Sequence, residues 1–312
     1  MLLLKWKEKS EWLKSNFREL RAQYFWDEKK FVAVLFFGKS NPSQVYVNLK
    51  KKYAQEIWFD CLIFGQWEVW FEEEYPDLIV YQKKEYSDNG EVIELVKMLN
   101  NDERCVGIIC QLPLTEELKP YQREICNAIT PLKDMDWLWD KLQEWAFEWK
   151  IEFLPATAQA VISLWNAYDL WSFEWKVISV IWQSDIVWRP ISRYLELKWA
   201  DVHAFDIRNT PEEIMNQTKE SDVIISCTWA LHLVDDRFIN ENINENINQI
   251  IIDVGYGFLD WKSTGDVDFE KVENKVYAIS PVPWWVGPMT VASLFGNIFT
   301  IRWQKEKIEN LS

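Results

Sequence analysis

Apolar runs and amphipathic stretches alternate along nearly the whole chain. Residues 8–24 carry apolar positions at helical spacing, and the continuous apolar run "FVAVLFF" (31–37) reads as a buried strand. "NPSQVYVNLKKKYAQEI" (41–57) opens on an Asn-Pro turn and runs on as a helix, with Tyr46 and Lys50 four apart on one face. A strand near 61–64, a helix at 88–100, the strand "VGIICQL" (106–112) and a helix at 116–129 complete a first series. After a crossover at 137–153 the alternation resumes: helix 157–168, strand "KVISVI" (176–181), helix 189–198, strand "DVHAF" (201–205) and helix 211–219. Strands at 222–227, 249–255 and 276–280 and a closing helix at 289–308 follow, with "NENINENINQ" (240–249) as a polar connector. Strand alternating with helix predicts an α/β fold. The length fits two domains: residues 1–140, with 286–312 packing back on them, and a dinucleotide-sized Rossmann-like unit at 141–285.

Charge and cysteine usage narrow the function. A net charge of −15 argues against nucleic-acid binding, which needs clustered Lys and Arg. The one dense basic run, Lys50-Lys51-Lys52, reads by itself as a solvated helix face. Cysteines 61, 105, 110, 126 and 227 have no C-x-x-C spacing, which predicts a reducing cytoplasm and no metal site. The N-terminus is charged from Lys5 and lacks a signal-peptide core, and the apolar run at 31–37 is too short to span a bilayer. No membrane or nucleic-acid partner is expected.

Glycine and tryptophan are out of balance. The chain of 312 residues holds 9 Gly and 21 Trp, against an ordinary Gly usage of about 22 in this length. The tryptophans sit where backbone turns are tightest. "SPVPWWVGPMT" (280–290) has Trp284 and Trp285 inside a loop built from Pro281, Pro283, Gly287 and Pro288. "ISVIWQSDIVWRP" (178–190) is a strand, a turn and a helix start, the arrangement that cradles a pyrophosphate. Such a turn needs glycine so that backbone N–H groups can approach the phosphates, yet Trp182 and Trp188 stand at its two glycine places. With Gly there it is a G-x-x-x-x-x-G variant of the dinucleotide fingerprint, weak by itself.

Five motifs in register are more specific. "CQLPL" (110–114), "KDMDW" (133–137), "IWQSDIVWRP" (181–190), "GDVDF" (265–269) and "PVPWWVGPMT" (281–290) resemble the bifunctional methylenetetrahydrofolate dehydrogenase/methenyltetrahydrofolate cyclohydrolase family. The likeness spans about residues 4–302. In that family the stretches run Q-L-P-L, K-D-x-D-G, G-R-S-x-I-V-G-x-P, G-D-V-D-F and P-V-P-G-G-V-G-P-M-T. The family's glycines stand as Trp at 58, 137, 182, 188, 229, 284 and 285, and by the same reading at 6, 145, 149, 175, 199 and 261. Overpacking at even one tight site costs about 1–3 kcal/mol. The pattern is expected from a UGA codon that the organism reads as Gly and that is written here as Trp. Returning these positions to Gly leaves roughly 22 Gly and 8 Trp.

The resemblance implies two domains with the active site in the cleft between them, and it assigns roles. Lys50, in the family's Y-x-x-x-K, is the acid/base group of the cyclohydrolase step; Gln111 orients it, Tyr46 stacks on the folate rings, and Asp136 accepts from pterin nitrogens. Pro283, Gly287, Pro288 and Thr290 wall the folate pocket. Trp182, Gln183 and Ser184 form the phosphate turn, Asp206 and Arg208 end the next strand, and Tyr256 lies near the nicotinamide. The family's usual cofactor is NADP. Here Gln183 replaces its common Arg, and Asp206 can accept from a ribose 2′-OH, so NAD remains open. The resemblance further implies tetrahydrofolate substrates and a homodimer. Two other readings stay open: a dehydrogenase without cyclohydrolase activity, and a non-catalytic binder if the tryptophans are genuine.

Overall fold

The computed structural model describes residues 1–4, 7–26, 28–38, 41–65, 75–82, 85–140, 144, 148, 154–170, 172–182, 188–240, 249–282 and 286–310. The elements, in chain order, are β1 (Leu2–Leu3), α1 (Lys7–Phe25), β2 (Phe31–Leu35), α2 (Asn41–Glu56), β3 (Asp60–Phe64), α3 (Ile79–Gln82), α4 (Asn89–Asn101), β4 (Cys105–Cys110) and α5 (Gln122–Ala128). Then come α6 (Ala156–Ala167), β5 (Val177–Trp182), α7 (Trp188–Leu197), β6 (Asp201–Phe205), α8 (Pro211–Lys219), β7 (Val223–Cys227) and β8 (Ile250–Asp253). The chain closes with β9 (Gly257–Leu259), β10 (Lys262–Thr264), α9 (Phe269–Val272), β11 (Ala278–Ser280), α10 (Val286–Trp303) and α11 (Lys305–Glu309). It divides into two compact units, residues 1–10 with 157–290, and 11–156 with 291–312.

The second of these units is built on a parallel sheet in the order β3-β2-β4. Strand β2 is buried along its length, and its period of two sends alternate side chains to opposite faces. Phe31, Ala33 and Leu35 join Val92, Leu95 and Leu99 of α4. Val32 and Val34 join Val47 and Ala54 of α2, Phe17 of α1 and Phe295 of α10. Burial on both faces is why "FVAVLFF" is a continuous apolar run rather than an alternating one.

In the other unit six of the described strands form a parallel sheet in the order β1-β11-β8-β7-β5-β6. From β5 the chain winds first to β6 on one side and then to β7 on the other. That reversal makes a topological switch point beside the C-terminal end of β5, where sheets of this kind bind ligands.

The division differs from the sequence boundaries in three ways. Leu2 and Leu3 pair with Ala278 and Ile279, which carries the first ten residues into the six-stranded unit. The next boundary falls at 156/157 rather than 140/141, and the last at 290/291 rather than 285/286. The closing helix starts at Val286, three residues earlier than expected, and α11 is separated from it at Gln304. Proline is compatible with a first helical turn, where no intrahelical N–H partner is needed, so Pro288 does not delay the start.

Backbone angles single out the tryptophans. Among the described non-glycine residues with left-handed φ, seven are Trp: Trp26 (45°), Trp58 (67°), Trp137 (58°), Trp175 (62°), Trp199 (63°), Trp229 (60°) and Trp261 (65°). Three follow helices. Trp58 N–H donates to the Gln55 carbonyl and Phe59 N–H to that of Ala54, just beyond α2. Trp199 N–H to Glu196 and Ala200 N–H to Leu195 repeat the pattern beyond α7, and Trp26 N–H reaches Ala22 beyond α1. This left-handed helix ending is a glycine place.

The antiparallel hairpin β9–β10, in which Leu259 pairs with Lys262, has no counterpart among the elements expected from the sequence. Its two turn residues, Asp260 and Trp261, have φ of 48° and 65°. Two positive φ values make the mirror-image turn whose sequence marker is Asp-Gly. With Trp at 261 that marker is absent, and the hairpin leaves no signal in the sequence.

Candidate functional site

In the three-stranded unit, chemistry gathers at the C-terminal ends of β2 and β4. Gln111 follows β4, and its N–H donates to the Leu35 carbonyl at the end of β2, 2.9 Å. Its side-chain nitrogen donates to the Leu112 carbonyl at 2.8 Å, which turns Oε1 the other way. Lys50, on α2, is 6% exposed and donates from Nζ to that Oε1 at 2.8 Å. The amide orientation is forced, because a carbonyl only accepts and an ammonium only donates. Burial pulls the Lys50 ammonium below the ordinary lysine range, and the neighbouring Asp136 carboxylate opposes the shift. Burial likewise raises Asp136, with Lys50 opposing. Tyr46 lies one turn before Lys50 on α2 and is half-buried.

The loop that carries Asp136 is held from three sides. Asp134 is 1% exposed, and its carboxylate accepts from Trp137 N–H and Trp139 N–H, both at 2.9 Å. Burial pushes its carboxyl up to about 7. Lys133 Nζ donates to the carbonyls of Leu99, Asn100 and Asp102 at the end of α4, at 2.9, 2.7 and 2.8 Å. Asn297 of α10 donates to the Met135 carbonyl at 2.7 Å. A cation at a helix C-terminus satisfies carbonyls left without intrahelical partners. The sequence assigns Lys133 of "KDMDW" no role; its place one residue before an acid gives no hint that it closes a helix some thirty residues earlier.

In the six-stranded unit the switch point is flanked by the ends of β5, β6 and β7. Trp182 is the last residue of β5 and pairs with Cys227 of β7. Gln183 and Ser184 lie outside the described residues, as does Pro283. Asp206 follows β6 and is clasped by Arg208: Oδ1 accepts from Arg208 N–H at 2.8 Å and Nε at 3.1 Å, while Oδ2 accepts from Nε at 2.8 Å and from a terminal guanidinium nitrogen. Hydrogen bonding to Arg208 holds the Asp206 carboxyl below its usual range. Tyr256 is half-buried with its ring edge against Phe258, centroids 5.6 Å apart. Gly287, Pro288 and Thr290 fall in the first turns of α10 rather than in a loop. The structure thus joins Lys50, Gln111 and Asp136 in one cluster, and places Asp206, Arg208 and Tyr256 in the other unit.

The described residues fit a nicotinamide dinucleotide in one respect that needs no ligand. The sheet has the reversed winding such cofactors use, with a carboxylate, Asp206, at the end of the strand that follows β5. Among the described residues no group of three or more His, Cys, Asp or Glu could hold a metal ion, and no helix is long and apolar enough to cross a membrane.

Comparison with known proteins finds a family match over each half of the chain. The family described as "Tetrahydrofolate dehydrogenase/cyclohydrolase, catalytic domain" matches residues 6–136, and its "NAD(P)-binding domain" matches 155–306. The bifunctional protein FolD of Aquifex aeolicus is 30% identical over 281 residues, 90% of this chain and 86% of its own. That of Sulfurihydrogenibium is 30% identical over 304 residues, 96% and 97% of the two chains. The crystal structure of the bifunctional FolD dehydrogenase/cyclohydrolase from Campylobacter jejuni superposes with a TM-score of 0.79 at 27% identity, covering 100% of each chain. Two family matches in sequence order, together spanning most of its length, show that this chain belongs to the tetrahydrofolate dehydrogenase/cyclohydrolase family.

Proposed function

We propose that the chain oxidises 5,10-methylenetetrahydrofolate to the 5,10-methenyl form with a nicotinamide dinucleotide and hydrolyses the methenyl form to 10-formyltetrahydrofolate. The observation that carries the hydrolytic half is the Lys50 Nζ to Gln111 Oε1 hydrogen bond at 2.8 Å, in a buried setting that lowers the lysine pKa. A neutral Lys50 accepts a proton from the water that adds to the cationic methenyl carbon. The resulting ammonium returns a proton to the nitrogen that leaves as the ring opens, and the adduct's hydroxyl releases its proton to solvent as it becomes the formyl carbonyl, so one proton is released overall. Gln111 fixes the lysine's direction, Asp136 accepts from pterin N–H groups, and Tyr46 stacks on the ring system. Pro283, Gly287, Pro288 and Thr290 lie against the folate.

The oxidative half needs no protein acid, because the substrate nitrogen stabilises the developing cation; the bound dinucleotide supplies a hydride acceptor. Trp182, Gln183 and Ser184, read as the phosphate turn, with Asp206, Arg208 and Tyr256, make up the cofactor side. NADP is the family's usual partner. The clasped Asp206 supports NAD as a second reading, because its carboxylate repels a 2′-phosphate while Arg208 attracts one. The enzyme works as a cytoplasmic homodimer. Assaying methylene oxidation with each dinucleotide, and methenyl hydrolysis without one, tests the reading. Absence of hydrolysis alone leaves a monofunctional dehydrogenase.

This function belongs to a chain with glycine at the tight turns. We infer that the protein in its cell carries Gly at 26, 58, 137, 175, 199, 229 and 261, and by the family pattern at 182, 188, 284 and 285. A left-handed L-residue costs about 1–2 kcal/mol. Seven such residues cost roughly 7–14 kcal/mol, as much as the whole net stability of a typical domain, about 5–15 kcal/mol. Nor do most of these side chains recover it by burial: Trp26, Trp175, Trp199 and Trp261 are 80%, 76%, 71% and 98% exposed. Trp165 contrasts with them; it is buried and stacked on Phe173, centroids 4.5 Å apart. Reading the codons decides the matter. UGA at the turn positions beside UGG at 165 supports glycine; UGG throughout overturns it and leaves a non-catalytic relative.

A further inference from the structure

Beside the switch point, two buried acids interlock two loops. Asp253 ends β8 and is 2% exposed; Asp266, in the turn before α9, is 0% exposed. Asp253 Oδ1 accepts from Gly255 N–H at 2.9 Å and Asp266 N–H at 3.1 Å, and its Oδ2 accepts from Val267 N–H at 3.0 Å. Asp266 Oδ2 accepts from Thr228 N–H at 2.6 Å and from Ser226 Oγ at 3.0 Å. Each carboxylate lies over the other loop's glycine. A Cβ on Gly255 would strike Asp266 Oδ1, and one on Gly265 would strike Asp253 Oδ2. Asp266 Oδ1 has no hydrogen-bond partner among the described residues.

The position of this interlock gives it a use. Ser226 and Thr228 are at the end of β7, the strand that forms one lip of the crevice at the winding reversal. The same node fixes Gly255, next to Tyr256. We propose that Asp266, braced by Asp253, is a positioning residue for the dehydrogenase reaction: it sets the backbone at Ser226–Thr228 so that this lip of the crevice receives the nicotinamide dinucleotide. The inference rests on the cofactor reading under Proposed function. It assigns Asp266 no contact with substrate or cofactor, and no proton transfer.

The test uses the full chain with glycine at the turn positions named under Proposed function as the parent, and compares two reactions of that one protein. Asp266→Ala removes the acceptor for Thr228 N–H; Asp266→Asn keeps an acceptor oxygen of the same shape. Asp266→Ala is expected to raise the KM for the dinucleotide at least tenfold, with methenyl hydrolysis, which uses no dinucleotide, within twofold of the parent. Asp266→Asn is expected to bring that KM back to within threefold. An unchanged KM in Asp266→Ala, equal damage in both variants, or a parallel fall of both reactions overturns the proposal. If Asp266→Ala does not fold, Ser226→Ala takes its place, with an expected rise of about threefold in the same KM and an unchanged value overturning the idea. A parent chain that hydrolyses the methenyl substrate but neither binds nor reduces a dinucleotide would defeat the cofactor reading itself, a different result from any of these.

Discussion

The two units build their sites from different materials. In the three-stranded unit the candidate groups are side chains: a lysine, an amide and a carboxylate brought together by α2, the end of β4 and a braced loop. In the six-stranded unit the candidate site is mostly backbone: the ends of β5, β6 and β7, and loops interlocked through buried aspartates. Side-chain chemistry survives a change of turn residue nearby, because identity and register are kept. A backbone site does not, since its geometry exists only where a residue without Cβ permits it. Tryptophan at glycine places therefore leaves the first site readable and blurs the second.

The largest effect should come from restoring that backbone. Changing Trp26, Trp58, Trp137, Trp175, Trp199, Trp229 and Trp261 together to Gly is expected to raise unfolding free energy by several kcal/mol, measured by urea denaturation of each form. The left-handed penalty of about 1–2 kcal/mol per residue sets this scale. Single exchanges at exposed sites such as Trp261 should each recover about 1 kcal/mol. Trp175 N–H donates to the Trp199 carbonyl at 2.9 Å and Arg21 donates to the carbonyls of both Trp26 and Trp58, so exchanges within these two pairs are expected to couple rather than add. A restored chain no more stable than the written one would show that these side chains are native and compensated elsewhere.

Removing the side chain proposed to transfer the proton comes next. Lys50→Met is expected to lower methenyl hydrolysis by about 10²–10⁴-fold, the usual contribution of a general acid–base group. Methylene oxidation should survive, since that step asks only for alignment. Loss of both reactions in a folded variant would mean that Lys50 binds folate rather than moving a proton.

How much of the molecule is legible in its sequence follows the same division. The buried strand β2 and helix α2 are readable because apolar periodicity is carried by side chains, and helical spacing alone puts Tyr46 and Lys50 on one face. Lys50, Gln111 and Asp136 are drawn together from residues up to 86 positions apart, and only the family resemblance links them; spacing along the chain cannot. The hairpin β9–β10 is hidden because its turn reads Asp-Trp instead of Asp-Gly. Strand β1 is hidden because two residues make no pattern; its pairing with β11 comes from nearly the other end of the chain. The Asp253–Asp266 interlock is equally silent, because "GDVDF" gives no sign that its first acid reaches back to Ser226 and Thr228.

The titration of Lys50 offers a finer test of the side-chain site. The proposed hydrolysis uses the neutral amine, so kcat/KM should rise with pH through a lysine pKa lowered by burial, below the ordinary value of about 10.4. Asp136 acts against that lowering, since its carboxylate favours the ammonium. Asp136→Asn removes the opposing charge, so the lysine pKa falls further and the rising limb moves to lower pH. The expected shift is read from pH–rate profiles with saturating and limiting methenyl substrate. A limb that moves to higher pH, or stays put, would show that Asp136 does not sense Lys50.

The smallest effect belongs to the cofactor side, where Asp206 and Arg208 neutralise one another. Both oxygens of Asp206 are engaged by Arg208, whose side chain is 86% exposed while that of Asp206 is 13% exposed. The arginine can swing away at little cost, because water screens an ion pair at the surface. Replacing Asp206 by Asn keeps a partner for Arg208 N–H and removes the charge that a 2′-phosphate would meet. The ratio of kcat/KM for NADP to that for NAD should rise several-fold, up to about tenfold. Arg208→Gln should lower the same ratio by a similar factor, since it leaves the carboxylate uncompensated. If both exchanges leave the ratio unchanged, discrimination lies in the turn after β5, and the backbone of the six-stranded unit governs cofactor choice as well as cofactor binding.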